Sequence, residues 1–183
     1  MPEVPVGDRW DERMRIVGVD PSSKKIALFI WRDDEWEAAT ITTKIQDRAK
    51  ALAELQKDLE EYLLNLESDE TYFFVEQPLM GRGGAHATIV VSQVQGIVMA
   101  CSVECGSDST YPVNVQTWKK VIIGRGNVGK PEVREWLGAH ESDLAEMAGG
   151  DQDLVDAACI ALYGREIITR SERIGEVGMA GES

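Results

Sequence analysis

Three short runs rich in β-branched and aliphatic residues follow one another early in the chain: Met14 to Asp20, Lys25 to Trp31 and Glu37 to Lys44. Separated only by turn-sized gaps, with Asp33, Asp34 and Glu35 at the second, they read as a meander of three antiparallel strands. Beyond them the pattern changes. Leu52, Leu55, Leu59, Leu63 and Leu66 recur at three- and four-residue steps, opposite Glu54, Lys57, Asp58 and Glu61, which marks an amphipathic, half-buried helix. Thr71 to Glu76 is a short aromatic strand closed by Pro78. A loop with Gly81, Gly83 and Gly84 leads into a helix carrying Val90, Val94, Ile97, Val98 and Cys101. Tyr111 to Val115 reads as a fifth strand. Helical pieces follow near Thr117 to Ile123, Pro131 to Leu137 and Asp151 to Ile167, with Pro131 suited to a first helical turn. The order implies an α/β fold: a mixed five-stranded sheet, three strands antiparallel and then two parallel, flanked by helices.

A chain of 183 residues, 43% of them hydrophobic, can bury about two-thirds of its unfolded surface in one core. We therefore expect one domain over residues 14–168, with a polar arm at 1–13 and a loose tail rich in Gly and Glu at 169–183. Met1 to Met14 lacks the apolar stretch behind a basic start that marks a secretory signal, which suggests a cytoplasmic protein, in a host cytoplasm if the source is viral. Ala87 to Cys105 is the most apolar long stretch. Ser92, Gln93, Gln95 and Ser102 break its continuity, so a buried helix of a soluble protein is expected rather than a membrane span. Cys101, Cys105 and Cys159 form no CxxC pair and the only histidines are His86 and His140, which argues against zinc. With 32 acidic and 19 basic residues the formal charge is −13, and such a chain repels a polyanion unless its basic residues gather on one face.

Four of the acids stand apart from this general negative charge. Asp20 ends the first apolar strand and Glu76 ends the fourth; if those strands are parallel neighbours, both carboxylates leave the same edge of the sheet, where open α/β sheets place their chemistry. Asp153 and Asp156 lie one helical turn apart, on one face of an otherwise apolar helix. Acids at strand ends are common, and Asp153 is suited to a helix's first turn on the dipole alone. Asp156 is harder to explain away, because it falls in a run that reads as core, where an unpaired charge costs several kcal/mol. Like charges about 4 Å apart repel by roughly 4 kcal/mol per pair at an effective dielectric near 20, so four acids gather only around cations. All-oxygen donors suit Mg²⁺ or Mn²⁺, and two such ions can activate water and stabilise a leaving oxygen.

The segments Arg15-Ile-Val-Gly-Val-Asp20-Pro, Tyr72-Phe-Phe-Val-Glu76-Gln and Asp153-Leu-Val-Asp156-Ala-Ala, in this order and at this spacing, resemble the RuvC Holliday junction resolvases. Trp118-Lys-Lys-Val-Ile-Ile-Gly124-Arg-Gly126-Asn-Val-Gly-Lys130-Pro-Glu-Val resembles that family's stretch between its second and third acidic motifs, so the likeness spans about Arg15 to Tyr163. It implies an RNase H-like fold, a homodimer with two active sites, and paired, Mg²⁺-dependent nicking of opposed strands in branched DNA. By motif position Asp20, Glu76, Asp153 and Asp156 would be the ligands of two Mg²⁺ ions, and Lys119 and Lys130 would stand beside the scissile phosphate. Where the family often carries an aromatic residue three positions after its second acid, this chain has Leu79.

Gly124-Arg-Gly-Asn-Val-Gly129-Lys130 also fits part of two nucleotide-binding motifs. Pro131 stands where a P-loop needs Ser or Thr, and a dinucleotide fingerprint belongs in an N-terminal strand-helix-strand unit. Another reading is that glycine-freed amides, Arg125 and Lys130 grip a DNA phosphate, with Lys119, Lys120 and Arg134 widening the patch and Lys24, Lys25 and Arg82 extending it. The sequence thus supports a structure-selective endodeoxyribonuclease first, a non-catalytic junction-binding protein second and a nucleotide-binding protein third.

Overall fold

The computed structural model describes residues 14–32, 34–65, 70–78 and 84–179, with side chains up to Ser171. Asp33, Leu66, Leu79, Gly81, Arg82, Gly83 and the arm at 1–13 lie outside the described residues. Strands β1 (Met14–Pro21), β2 (Lys25–Arg32) and β3 (Glu35–Thr42) form the antiparallel meander. Helix α1 (Arg48–Leu64) crosses to β4 (Glu70–Glu76), and α2 (Gly84–Glu104) crosses to β5 (Ser109–Val113). Both β4 and β5 join in parallel, giving the sheet order β3-β2-β1-β4-β5. The remaining helices are α3 (Val115–Ile123), α4 (Lys130–His140), α5 (Ser142–Ala148) and α6 (Gln152–Met179).

Central position explains why β1 is buried from end to end. Ile16, Phe29, Tyr72 and Phe74 face α3 to α6, while Val17, Val19, Leu28, Phe73 and Val75 face Leu55, Leu59 and Leu63 of α1 and Val94 and Val98 of α2. Side chains alternate across the pleat, so one sheet serves two apolar layers. Helix α6 lies closest to the sheet. A Cβ at Gly18 would overlap the Ala157 carbonyl oxygen and the Ala161 amide, and one at Gly164 would meet the Phe74 ring. These two glycines let α6 settle directly over β1 and β4.

Several boundaries differ from the sequence reading. β3 ends at Thr42 rather than Lys44, and β5 runs Ser109–Val113 rather than Tyr111 to Val115. Asn114 stops β5: its side chain accepts from the Gln116 amide and caps α3, which places Val115 in the helix. Helix α5 was not foreseen, since seven residues are too few to show a period. Helix α6 continues to Met179, so the stretch from Thr169, expected to be loose, is helical through that residue. The largest correction concerns α2, expected to be a buried helix. Only 28% of its apolar window is buried; Val94, Val98, Cys101 and Ser102 face inward, whereas Ile89 and Val103 are 56% and 65% exposed. By length and composition this helix could cross a membrane.

Candidate active site

Parallel pairing of β1 with β4 sets Val19 beside Val75. Asp20 and Glu76 therefore leave adjacent strands at the same edge of the sheet. The α6 helix, seated on Gly18, begins at this edge and brings Asp153 and Asp156 within its first two turns. Asp20 and Asp156 are 9% and 7% exposed, and Glu76 is half-buried. Burial, followed by the charges of Glu76, Asp156 and Asp153, raises the Asp20 carboxyl well above the ordinary carboxylate range, and Lys130 relieves part of this. Burial also pushes Glu76 up to about 7; the Trp118 indole opposes that shift, Asp156 adds to it, and Lys119 and Lys130 oppose it. Asp156 is raised mainly by burial, against a hydrogen bond from Gln152 and the charges of Lys130 and Lys119. The four acids chosen from the sequence thus share one electrostatic neighbourhood, and both lysines chosen with them stand in it.

Particular partners orient these groups. Trp118 Nε1 donates to Glu76 Oε2 at 2.7 Å. Gln152 Nε2 donates to Asp156 Oδ1 at 3.0 Å, while its own carbonyl accepts from Arg134 at 3.1 Å. Lys119 is buried, donates to the Val128 carbonyl at 3.1 Å and lies against the Trp118 ring. Asp153 is held differently. Lys25 Nζ is 2.7 Å from Asp153 Oδ2 and 2.8 and 2.9 Å from the two oxygens of Asp151, which also caps α6 by accepting from the Asp153 amide. Trp118, Gln152 and Asp151 were not singled out from the sequence. The one local signal was for Gln152, which is four residues before Asp156 and so on the same helical face.

The proposed DNA contacts are more dispersed. Lys25 is bound to two carboxylates rather than presented to a phosphate, and Lys24 donates to Gln46 at 3.0 Å. Lys120 is exposed, Arg134 engages Gln152, and Arg82 lies outside the described residues. In the glycine loop Glu132 Oε2 accepts from the Gly129 amide at 2.8 Å and its Oε1 pairs with Arg125 at 3.1 Å. The amide and guanidinium expected to grip a phosphate are thus occupied by the protein's own carboxylate, which also weakens the nucleotide-binding alternative.

Asp20, Glu76 and Asp156 fit a hard divalent cation by the chemistry of their donors: buried or half-buried carboxylate oxygens whose mutual repulsion such a charge would offset. Among the described residues no three acidic, His or Cys side chains close tightly enough on one point to cage an ion. Like charges hold apart, and Asp153 is turned onto Lys25.

An antiparallel meander of three strands continued by two parallel strands and flanked by helices is an RNase H-like fold, which the chain shares with solved structures of Holliday junction resolvases. RuvC from Thermus thermophilus matches over 84% of this chain and 96% of its own, at 20% identity and a TM-score of 0.59. The same protein in complex with its Holliday junction substrate matches over 82% and 91%, at 22% identity and 0.61. The yeast mitochondrial Holliday junction resolvase matches over 93% and 85%, at 12% identity and 0.58. No protein-family model and no curated protein sequence matches the chain.

Proposed function

We propose that this protein is a Mg²⁺-dependent endodeoxyribonuclease that cuts branched DNA, four-way junctions above all, by paired nicking. One observation carries the reading: Asp20, Glu76 and Asp156, from three distant segments, lie within one another's electrostatic field at one edge of the sheet, with Lys119 and Lys130 also acting on that site, on a fold shared with junction resolvases. Asp20, Glu76 and Asp156 would hold the divalent cation, Mn²⁺ substituting for Mg²⁺, and Asp153 would join them in holding a second. Such cations supply Lewis-acid stabilisation of phosphoryl oxygens and water acidified enough to attack near neutral pH. The chain's own groups do the rest. Trp118 and Gln152 fix the orientation of Glu76 and Asp156, while Lys119 and Lys130 bring positive charge beside the phosphate.

Paired nicking requires two sites, and the exposed apolar face of α2, with Ile89, Gly96, Ala100 and Val103, is a reasonable surface for a homodimer. The protein would act in the cytoplasm. A labelled four-way junction with Mg²⁺ tests the activity, comparing the wild type with Asp156→Asn, which keeps shape and removes a charge. We expect the wild type to cut and the variant to bind without cutting. Binding without cleavage by the wild type would make this a junction-binding protein instead.

A further inference from the structure

Lys25 lies on β2, the strand that pairs with β1, and is in direct ionic contact with one of the four acids, Asp153. Its ammonium makes three contacts of 2.7 to 2.9 Å with Asp151 and Asp153. This pairing joins residues 126 apart in sequence, and the three side chains are only 21 to 34% exposed. Although burial works against its charge, the hydrogen bonds to Asp151 and Asp153 hold Lys25 above the ordinary lysine range. Among the described residues no cationic side chain is paired with Asp20, Glu76 or Asp156: Glu76 and Asp156 accept instead from the neutral Trp118 indole and Gln152 amide, and positive charge reaches the three only as the field of Lys130, joined by Lys119 for the last two. The four acids therefore divide into three whose repulsion is left for a bound cation to relieve and one that is already neutralised from within.

We propose that Lys25 is a built-in counter-ion for Asp153, so that the site takes one divalent cation tightly on Asp20, Glu76 and Asp156 and a second only when Lys25 yields Asp153. This deepens the nuclease reading and rests on its premise that these acids take divalent cations. Lys25 is then a positioning residue that sets how much divalent cation is needed to fill the site. The leash is short, because Asp151 caps α6 and grips the same ammonium.

Mn²⁺ titration of the full chain, with free Mn²⁺ followed by its paramagnetic resonance, reads the effect without activity. The wild type should bind one Mn²⁺ tightly and a second more weakly. Lys25→Met should tighten the second step by about tenfold or more, the scale of one charge-assisted hydrogen bond. Lys24→Met removes the same charge one residue away, from a lysine bonded to Gln46, and should leave the isotherm as it is. Equal shifts in both variants, or none in Lys25→Met, would overturn the proposal while leaving the nuclease reading intact. Asp153→Asn provides a second route if Lys25→Met folds poorly: it should remove the weak step and weaken the tight one far less than Asp156→Asn does. Loss of the tight step in Asp153→Asn would show that Asp153 belongs to the first cation. A wild type that binds no Mn²⁺ would overturn both readings together.

Discussion

Glu76 illustrates how far a single residue's chemistry is set by contacts its neighbours in sequence do not reveal. With its carboxyl pushed up to about 7, chiefly by burial, the folded protein keeps a proton that an unfolded chain, with an ordinary value of 4.5, has already released. The folded state binds more protons between those values, so the metal-free protein should lose stability as pH rises through that window, by up to about 3 kcal/mol for this group. Urea unfolding at a series of pH values should show this slope in the wild type and a shallower one in Glu76→Gln, where only the raised Asp20 and Asp156 still contribute. Trp118→Phe removes the indole donor, which holds the Glu76 carboxyl down. That change should raise the Glu76 titration further and, above about pH 7 where the carboxyl is ionised, cost about 1.5 to 3 kcal/mol, as expected for a hydrogen bond to a charged group. A carboxyl resonance followed by NMR, with denaturant unfolding, checks both. Asp20 and Asp156 were legible in the sequence because each is an acid in or at the end of an apolar run. Trp118, which lies 42 residues from Glu76, and Asp151, which lies 126 residues from Lys25, gave no local sign of these partnerships.

Among the elements, β1 and α6 define the site together, and Gly18 fixes their separation. A methyl group there meets the α6 backbone rather than a flexible side chain. Gly18→Ala should therefore destabilise the fold by about 1 to 3 kcal/mol. It should also weaken Mn²⁺ binding, although no carboxylate has changed, because α6 must lift Asp156 away from Asp20. Unchanged Mn²⁺ affinity in a folded Gly18→Ala protein would separate the packing from the site. The meander was readable from its runs of β-branched residues and α1 from leucines repeating every three to four residues, whereas the parallel pairing of β1 with β4 was a conditional inference that the structure bears out. Element ends were less so. Proline at position 112 is tolerated in β5 because that strand lies at the sheet's edge, and a cap at Asn114 decides where α3 begins.

For the whole molecule, the −13 formal charge must be offset locally if DNA is to approach. The structure commits Lys25 and Arg125 to carboxylates within the chain and buries Lys119 against the Val128 carbonyl, which concentrates the remaining candidates at the exposed Lys120 of α3 and Lys130 of α4. Junction affinity should fall steeply with salt. Lys120→Ala should reduce the slope of log affinity against log salt by about one unit, the value for a single phosphate contact, as read by fluorescence anisotropy. A slope indifferent to Lys120 would move the DNA path elsewhere. Composition could signal the repulsion but not its remedy, because which lysines remain available depends on pairings made only on folding. All of this depends on the acids at the ends of β1 and β4 and on α6 forming one cation site. Crystals soaked in Mn²⁺ and measured at its absorption edge examine that claim directly. We expect an anomalous peak bounded by oxygens of Asp20, Glu76 and Asp156; ordered carboxylates with no peak between them, at Mn²⁺ concentrations that occupy other surface sites, would contradict it.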